Sequence, residues 1–553
     1  MTRSLTDLAA REWGRAADTT ASRGVDRFAA GWRVWLFAAV VGVGWSMWSA
    51  GIGRRALVNP GGWPLMRKFW AAAVHPELSS EFLRVTGRST LTTLAFAVLG
   101  TALSVVVGVV GGVLTSETWW RREPRRRRAS RRIGRSNNTR GGWYASRGLM
   151  GIPRGIHEAV WGLFLVNVLG RDPLVGVLAI AIPFGAITAK VYAELIDESA
   201  RAPYDAMLAA GSGRLSALAY AVFPVTLPDF VSYAFYRLEC SIRSAVILGM
   251  IGAGGLGFQL SLSFQSLRYR QMWTLIYALV LISALADFWG STLRRRGTLL
   301  RVRVSIGLFV ALVAASLLEL RPDFGRLVSG RTRSLLADIV GQSWPPSLPA
   351  DGLRGLIDRS IDTLQMSLLA IALGSTLAVF AAFVAARGGE SPVRKSVALV
   401  ARLLLLATRA IPPPVWALLV LFVLFPGPLP GAVALGIYNF GILGRLMAEV
   451  VENLDPRPAA ALRAAGVADL TVFAYATVPL SISRFATYAL YRWEVAVRET
   501  VVVGVVGAGG LGRLLEQQRA AFDYSGMFAT VIALIVVSLF VDMVSASARR
   551  SLR

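Results

Sequence analysis

Two pairs of opposite charges stand inside apolar stretches of the chain, at the same spacing in each half. Glu239 precedes Arg243 by four residues, and Glu494 precedes Arg498 by four residues. On a helix this spacing places both side chains on one face, where they can pair and offset part of the cost of a charge in a membrane. Arginine also binds oxyanions through its planar fork of N–H donors. The pairs are therefore either structural or part of an anion pathway, with the structural role preferred.

Three further features could carry chemistry. His157 and Glu158 stand near a predicted helix start, where they could contact a solute or gate a path, although capping or packing is the preferred role. The string Gly-Ala-Gly-Gly-Leu-Gly occurs at 252–257 and again at 507–512. Each glycine costs about 1 kcal/mol relative to alanine in a helix, so we expect a break there that lines a cavity or a moving interface. The candidate hinge or lining glycines are Gly252, Gly254, Gly255, Gly257, Gly507, Gly509, Gly510 and Gly512.

The composition indicates which elements must position these residues. Of 553 residues, 54% are apolar and 17% are charged, and the mean hydropathy is +0.54, which excludes an ordinary soluble domain and indicates an integral membrane protein. The lone Cys240 excludes an intrachain disulfide, and with only two histidines no metal site is predicted. The sequence predicts an all-α membrane protein.

Stretches without charged residues recur along the whole chain, and a membrane helix needs about 20 apolar residues. About twelve spans are predicted, with a tight hairpin at 425–431. They cover 34–53, 89–116, a region around 150–170, 173–189, a helix from about 229, 271–286, 304–318, 363–386, two helices in 410–444, a helix from about 484, and 524–541.

The net charge of +26 comes from arginine clusters in the loops between these spans. With twelve spans the clusters fall on one side, which the positive-inside rule makes cytoplasmic together with both termini. The densest run, at 121–132, could bind nucleic acid or anionic lipid. Topology and lipid contact explain the charge better, and no nucleic-acid partner is predicted.

The chain contains an internal repeat. At an offset of 255 residues the halves match without a gap from about 156 to 290, and the string 233–239 reappears as 488–494. Upstream the offset becomes about 274, because the first copy carries an arginine-rich insertion of about 19 residues. Six spans per copy make the repeats parallel, related by a pseudo-two-fold axis along the membrane normal.

The repeat divides the chain into two units. The first is 1–300, with a core at about 85–295 and the insertion, predicted to be cytoplasmic, at about 117–147. The second is 301–553, with a core at about 355–548 and an extracytoplasmic connection at about 320–360. A transport pathway is expected on the pseudo-two-fold axis.

A moderately polar segment of about 30 residues follows the fourth span of each copy and is cytoplasmic by the argument above. It runs from Pro203 to Pro224 in the first copy and from Pro458 to Pro479 in the second. Small alanines let a short helix seat in a cleft of a partner, and a glycine permits the following turn. This pattern resembles the coupling segment of ABC importer permeases. The resemblance assigns ATPase coupling to Asp205, Ala206, Gly211, Pro224, Ala461, Gly466 and Pro479, while Ala460 stands where the family has an acid.

The strings 236–257 and 491–512, with 156–161 and 411–416, resemble phosphonate ABC-transporter permeases. The resemblance implies the MetI-like type I permease fold, as two fused subunits in the cell membrane of a prokaryote. It also implies two cytoplasmic ATPases and an extracytoplasmic solute-binding protein as partners. A phosphate-binding P-loop needs glycine before its lysine, and Arg67, Ala189 and Arg394 precede the three lysines. We therefore expect no cofactor on this chain, and ATP and magnesium to be used by the partner ATPase.

The predicted function is import of phosphonate or a related phosphorus oxyanion by a permease that is not itself an enzyme. Phosphate, phosphite or another small solute is an alternative within the same class. An ion-coupled secondary transporter with parallel repeats is an alternative from another class, and it would need neither coupling segments nor an ATPase.

Overall fold

Helices dominate the computed structural model, which describes residues 33–54, 56–120, 139–170, 172–296, 299–386 and 391–551. Within these ranges there is no β-strand, and one isolated bridge joins Val58 to Leu424. The arginine run predicted to contact lipid, at 121–132, lies outside them.

The helices of the first half are α1 (33–49), α2 (Trp63–Ala71), α3 (Ser80–Thr115), α4 (Glu117–Trp120), α5 (Thr139–Gly155), α6 (Glu158–Leu169), α7 (Pro173–Glu198), α8 (Arg201–Ala209), α9 (Arg214–Ala217), α10 (Phe223–Leu248), α11 (Gly255–Gln265) and α12 (Tyr269–Arg296). Those of the second half are α13 (Leu299–Leu320), α14 (Gly330–Ser343), α15 (Gly352–Ala385), α16 (Pro392–Ala410), α17 (Pro413–Val423), α18 (Pro428–Glu452), α19 (Arg457–Ala464), α20 (Asp469–Val472), α21 (Val478–Val503), α22 (Gly510–Ala520) and α23 (Tyr524–Ser551).

The internal repeat predicted from sequence is present helix by helix. From α5 to α12, each helix of the first half has a counterpart from α16 to α23 that begins and ends within two or three residues of the position 255 further on. Even the π-helical turns correspond, at Leu218–Val222 and Phe473–Thr477. The same local sequence therefore produces the same local structure twice.

Among the described residues, eight helices are long and apolar enough to cross a membrane, and ten spans result if each of two bent helix pairs counts as one. Two further predicted spans correspond to shorter helices of the described chain, the 17-residue α1 and the 12-residue α6. The prediction of one continuous span at 150–170 is wrong, because α5 ends at Gly155 and α6 starts at Glu158. The equivalent α16 and α17 meet at 93°, since Pro412 and Pro413 cannot continue the helix.

Close helix packing forms the centre of each repeat, where α3 packs along α7 and α15 along α18. A Cβ added to Gly108 would lie 2.4 Å from the Thr188 side chain, and one added to Gly374 would lie 2.8 Å from the carbonyl oxygen of Gly436. Small residues at these points let the backbones approach, which is the usual source of helix association in membranes.

The first helix of each half packs against the other half. Ser49, at the end of α1, accepts a hydrogen bond of 2.8 Å from the Gln365 amide on α15, and α13 packs along α3. The limits 1–300 and 301–553 therefore stay a prediction, since the two units exchange their first helices.

A threonine on the long first core helix caps the helix after each glycine segment. Thr93 Oγ1 accepts from the Leu256 N–H at 2.8 Å, and Thr363 Oγ1 accepts from the Leu511 N–H at 3.0 Å. This equivalence sets the upstream offset at 270 rather than 274, so the first repeat carries 15 additional residues rather than 19.

Replacing either threonine by valine is expected to lower the free energy of unfolding by about 1–3 kcal/mol, because a buried N–H loses its acceptor while the shape is kept. Thermal unfolding in detergent measures the effect. Thr92→Val and Thr376→Val, on the outer faces of the same helices, are matched controls expected to change it by less than about 0.5 kcal/mol. Equal effects at all four positions would contradict the capping role.

Candidate functional site

The helices α10 and α21 meet at the pseudo-two-fold axis. Ile247 and Val502 are equivalent positions, and both belong to one small buried cluster with Ala159. Because equivalent residues of the two repeats share this cluster, the pseudo-two-fold axis passes close to it. Ile247 is 6% exposed and Val502 is 2% exposed, so apolar side chains close the path at this level.

One face of α10 lies along this axis. Tyr236, Cys240, Arg243, Ile247 and Ile251 follow each other at helical spacings of three or four residues. Tyr236 and its equivalent Tyr491 are exposed. The predicted path is therefore exposed at the end where α8 and α19 lie, and apolar side chains fill the axis at Ile247 and Val502.

Arg243 belongs to a chain of ion pairs that crosses from one repeat to the other. Its guanidinium lies 3.5 Å from Glu239, which accepts at 2.7 Å from Arg409 of the second repeat. Arg409 also lies 3.0 Å from Asp287, which pairs with Arg445. Since Glu239 and Arg409 are more than nine-tenths buried, these contacts hold the two repeats together in a region of low dielectric constant.

The corresponding ion pair expected in the second repeat is not formed. Glu494 pairs with Arg549 at the end of α23, and no carboxylate of the described residues lies within 4.0 Å of Arg498. Arg549 competes for Glu494 because α21 and α23 pack side by side. Arg498 instead faces a small pocket that His157 also lines.

Helix α10 also begins earlier than predicted, at Phe223 rather than Pro228. Arg243 therefore lies about 30 Å along the helix at 1.5 Å per residue.

The buried arginines Arg237 and Arg492 occupy equivalent positions, and neither was predicted from the sequence to be a site residue. Arg492 is paired with Glu499 at 3.0 Å and donates to Asn439 at 2.7 Å. Arg237 instead lies over the ring of Phe184 at 4.5 Å, with no carboxylate of the described residues within 4.0 Å. Both stand inside the matching strings at 236–239 and 491–494, one residue after a tyrosine, and that match is the signal that could have identified them.

His157 caps α6, which was its preferred role. Its ring accepts from the Ala159 N–H at 3.1 Å, and Glu158 accepts a 2.6 Å hydrogen bond from Ser244 of α10. Glu158 is thus hydrogen-bonded within the first repeat, close to the buried cluster of Ala159, Ile247 and Val502. Its contact with a solute stays a prediction.

The glycine segments break the helices as predicted. The backbone of Gly252, Gly254, Gly507 and Gly509 has φ between 98° and 120°, a region that favours glycine. A Cβ on Gly257 would lie 1.9 Å from the carbonyl oxygen of Val246. Together with Gly255, Gly510 and Gly512, these glycines let α11 and α22 turn back against the preceding helices. Hinge motion at these positions stays a prediction.

The two predicted coupling segments have one geometry. Gly211 has φ +91° and Gly466 has φ +78°, and each ends its short helix with the pair of hydrogen bonds typical of a glycine C-cap. Pro224 and Pro479 stand in the first turns of α10 and α21, where proline is tolerated. Asp205, Ala206 and Ala461 are exposed.

Both segments expose apolar side chains at equivalent positions. Tyr220 is 76% exposed and Tyr475 is 77% exposed, and the equivalent pair Leu215 and Leu470 is also exposed. We call these four residues the paired apolar surface. The segments differ in anchoring, since Tyr204 and Leu208 bury α8 in a hydrophobic cluster whereas α19 has no buried residue.

In the described part of the chain no group of three or more His, Cys, Asp or Glu could hold a metal ion.

Comparison with known proteins gives a consistent match over both halves. The family described as binding-protein-dependent transport system inner membrane component matches residues 140–297 and 374–553. The phosphate-import permease protein PhnE of Mycolicibacterium smegmatis is 30% identical over 70% of this chain and 74% of its own length. The phosphite transport system permease protein PtxC of Stutzerimonas stutzeri is 34% identical over 39% of this chain and 77% of its own. A solved structure of the MetNI methionine ABC transporter in inward-facing conformations is 20% identical, covers 40% of this chain and 100% of that chain, and has a TM-score of 0.33.

Proposed function

Because the chain belongs to the family of binding-protein-dependent transport system inner membrane components, we propose that it forms the complete membrane pathway of an importer for a small phosphorus oxyanion. The observation that carries the proposal is the pair of equivalent helices, α10 and α21, which meet at the axis and are each preceded by a coupling segment. One fused chain would then supply both halves of the pathway.

Phosphonate is the proposed substrate class, with phosphate and phosphite as alternatives. The similar permeases are named for phosphate import and phosphite transport, which favours a small phosphorus oxyanion over other small solutes. Arg498 supports it, since this residue lines a small pocket near the axis and has no carboxylate of the described residues within 4.0 Å. A guanidinium is suited to a tetrahedral oxyanion, and a single contact leaves the binding weak enough for release.

Two ATP-binding-cassette ATPases are the proposed partners beneath the coupling segments. The paired apolar surface gives each ATPase an equivalent tyrosine and leucine to bury, and aromatic anchors of this kind contribute most to interfaces. ATP and magnesium would be bound by those partners, and this chain would hold neither. The solute-binding protein would dock at the opposite end, near the connection that contains α14.

The mechanism follows from which end of the path is closed. Ile247 and Val502 close the axis while Tyr236 and Tyr491 are accessible from the coupling side, so this is an inward-facing arrangement if the coupling side is cytoplasmic. ATPase closure would move the coupling segments together and separate α10 from α21 at the apolar level. The basic loops support this orientation in a prokaryotic inner membrane, with both termini cytoplasmic.

Proteoliposome transport tests the proposal. Phosphonate uptake is expected only when the ATPase, ATP and the solute-binding protein are all present. A control with an imposed ion gradient and no ATPase should show no uptake above protein-free vesicles. Uptake driven by the gradient alone would instead establish the secondary transporter.

A further inference from the structure

A cavity of about 210 Å³ opens between α3, α5 and α7 of the first repeat. Its charged lining residues are Arg147, Arg154, Lys190 and Glu194. Lys190 lies eight residues before the end of α7, about 12 Å from it, on the side of the coupling segments. The cavity therefore carries an excess of positive charge at the depth where a membrane meets water.

The internal repeat shows what these cations do when protein carboxylates are present. The equivalent positions in the second repeat are Arg402, Arg409, Arg445 and Glu449. There Arg402 pairs with Glu452, Arg409 with Glu239 and Asp287, and Arg445 with Asp287 and Glu449. The three arginines of the second repeat that correspond to Arg147, Arg154 and Lys190 are therefore all paired with carboxylates.

The carboxylates at the equivalent positions around the first-repeat cations either have other partners or lie further away. Asp197, the counterpart of Glu452, accepts from the backbone of Glu117 and Thr118 at 2.9 Å each. Glu494, the counterpart of Glu239, pairs with Arg549. Asp542, the counterpart of Asp287, interacts with Arg154 only at longer range, and its buried Oδ1 has no hydrogen-bond partner.

As a result the first-repeat cations lack close counter-ions. No carboxylate of the described residues lies within 4.0 Å of Arg147 or Arg154, and Lys190 reaches only Glu194 at 3.8 Å. Arg147 is held in place by the ring of Trp143 at 4.1 Å and by a hydrogen bond of 3.1 Å to the Thr115 carbonyl. The guanidinium of Arg147 is thus positioned for a ligand before one binds.

We propose that this cavity is a second oxyanion site, distinct from the pocket that Arg498 and His157 line, and that it binds a phosphate group between Arg147, Arg154 and Lys190. The volume accommodates a tetrahedral phosphate with several waters, since a water takes about 30 Å³. Two guanidinium forks and one ammonium match the oxygen atoms and the charge of phosphate. The bound phosphate supplies the negative charge that Glu239, Asp287 and Glu452 supply to the equivalent arginines of the second repeat.

The phosphate group has two possible sources, a free cytosolic ion or the headgroup of an anionic phospholipid. The test uses the full chain in nanodiscs of phosphatidylcholine, titrated with inorganic phosphate and followed by calorimetry. A parallel arm uses nanodiscs containing phosphatidylglycerol and counts retained lipid by native mass spectrometry. Saturable phosphate binding in the first arm identifies the free ion, and selective retention of phosphatidylglycerol identifies the lipid headgroup.

Arg154→Gln combined with Lys190→Gln is expected to weaken whichever binding is seen by at least tenfold. Arg457→Gln with Arg463→Gln removes the same charge from exposed positions of α19 and should leave it unchanged. If the first double variant does not fold, Lys190→Glu, at a half-exposed side chain, replaces it with the same expectation. The proposal is wrong if neither ligand binds the unmodified chain, or if binding is equal in all variants.

Discussion

Replacing Arg409 with glutamine is expected to lower the free energy of unfolding by about 3–5 kcal/mol. The side chain bridges Glu239 at 2.7 Å and Asp287 at 3.0 Å, and its removal leaves two carboxylates without their cation in a buried site. Breaking a buried ion pair by removing one partner costs this much because the remaining charge is uncompensated. The measurement is thermal unfolding of the purified chain in nanodiscs.

Arg154→Gln is the matched control, since it stands at the equivalent position of the first repeat with no carboxylate of the described residues within 4.0 Å. In nanodiscs of phosphatidylcholine without phosphate, its expected effect is below about 1 kcal/mol, because no ion pair is broken. A triple variant with Arg409→Gln, Glu239→Gln and Asp287→Asn should recover part of the loss, because neutral amides tolerate the site better. Equal losses for Arg409→Gln and Arg154→Gln would refute the bridging role of Arg409.

Changing both Tyr220 and Tyr475 to aspartate is expected to abolish ATP-driven uptake. Each tyrosine is more than three-quarters exposed on the paired apolar surface, and truncating one aromatic anchor of an interface costs about 2 kcal/mol. Each change would lower the association constant of the ATPase beneath its own segment by about 30-fold. Co-purification with the ATPase and uptake into proteoliposomes give the two measurements.

Single variants separate this coupling role from a general defect. Tyr220→Asp and Tyr475→Asp should each weaken ATPase binding, while thermal unfolding of the isolated chain stays within about 0.5 kcal/mol of the unmodified protein. Phenylalanine at both positions keeps the apolar area and should retain transport. Full uptake by the double aspartate variant would show that the ATPases dock elsewhere.

Most of the helical architecture was accessible from sequence because it depends on local patterns. The 255-residue repeat is present in the helices from α5 to α23, and the hairpin predicted at 425–431 is the turn between α17 and α18. The glycine segments broke the helices where predicted, since positive φ is a local preference. Local pattern failed at 150–170, where the largely buried pair His157 and Glu158 starts a new helix, and the resulting break has no hydropathy signal.

The charged network was only partly accessible. The four-residue spacing gave the contact of Glu239 with Arg243 correctly and that of Glu494 with Arg498 wrongly, although the two strings are nearly the same. Arg409 pairs with Glu239 from 170 residues away, and no spacing rule connects them. The arginine that holds the two repeats together was therefore not identified from sequence.

By itself, the sequence determined that this protein is a duplicated, all-helical membrane permease with two glycine breaks, and it predicted two coupling segments. Hydropathy and helix-breaking residues act within a few residues of the chain, and the repeat is visible when the two halves are compared directly. Only the tertiary structure decided how equivalent charges are used, closing one interface between the repeats with ion pairs and leaving a basic cavity at the other. The reason is physical, because a buried charge pairs with whichever opposite charge the packing of distant helices brings within about 4 Å.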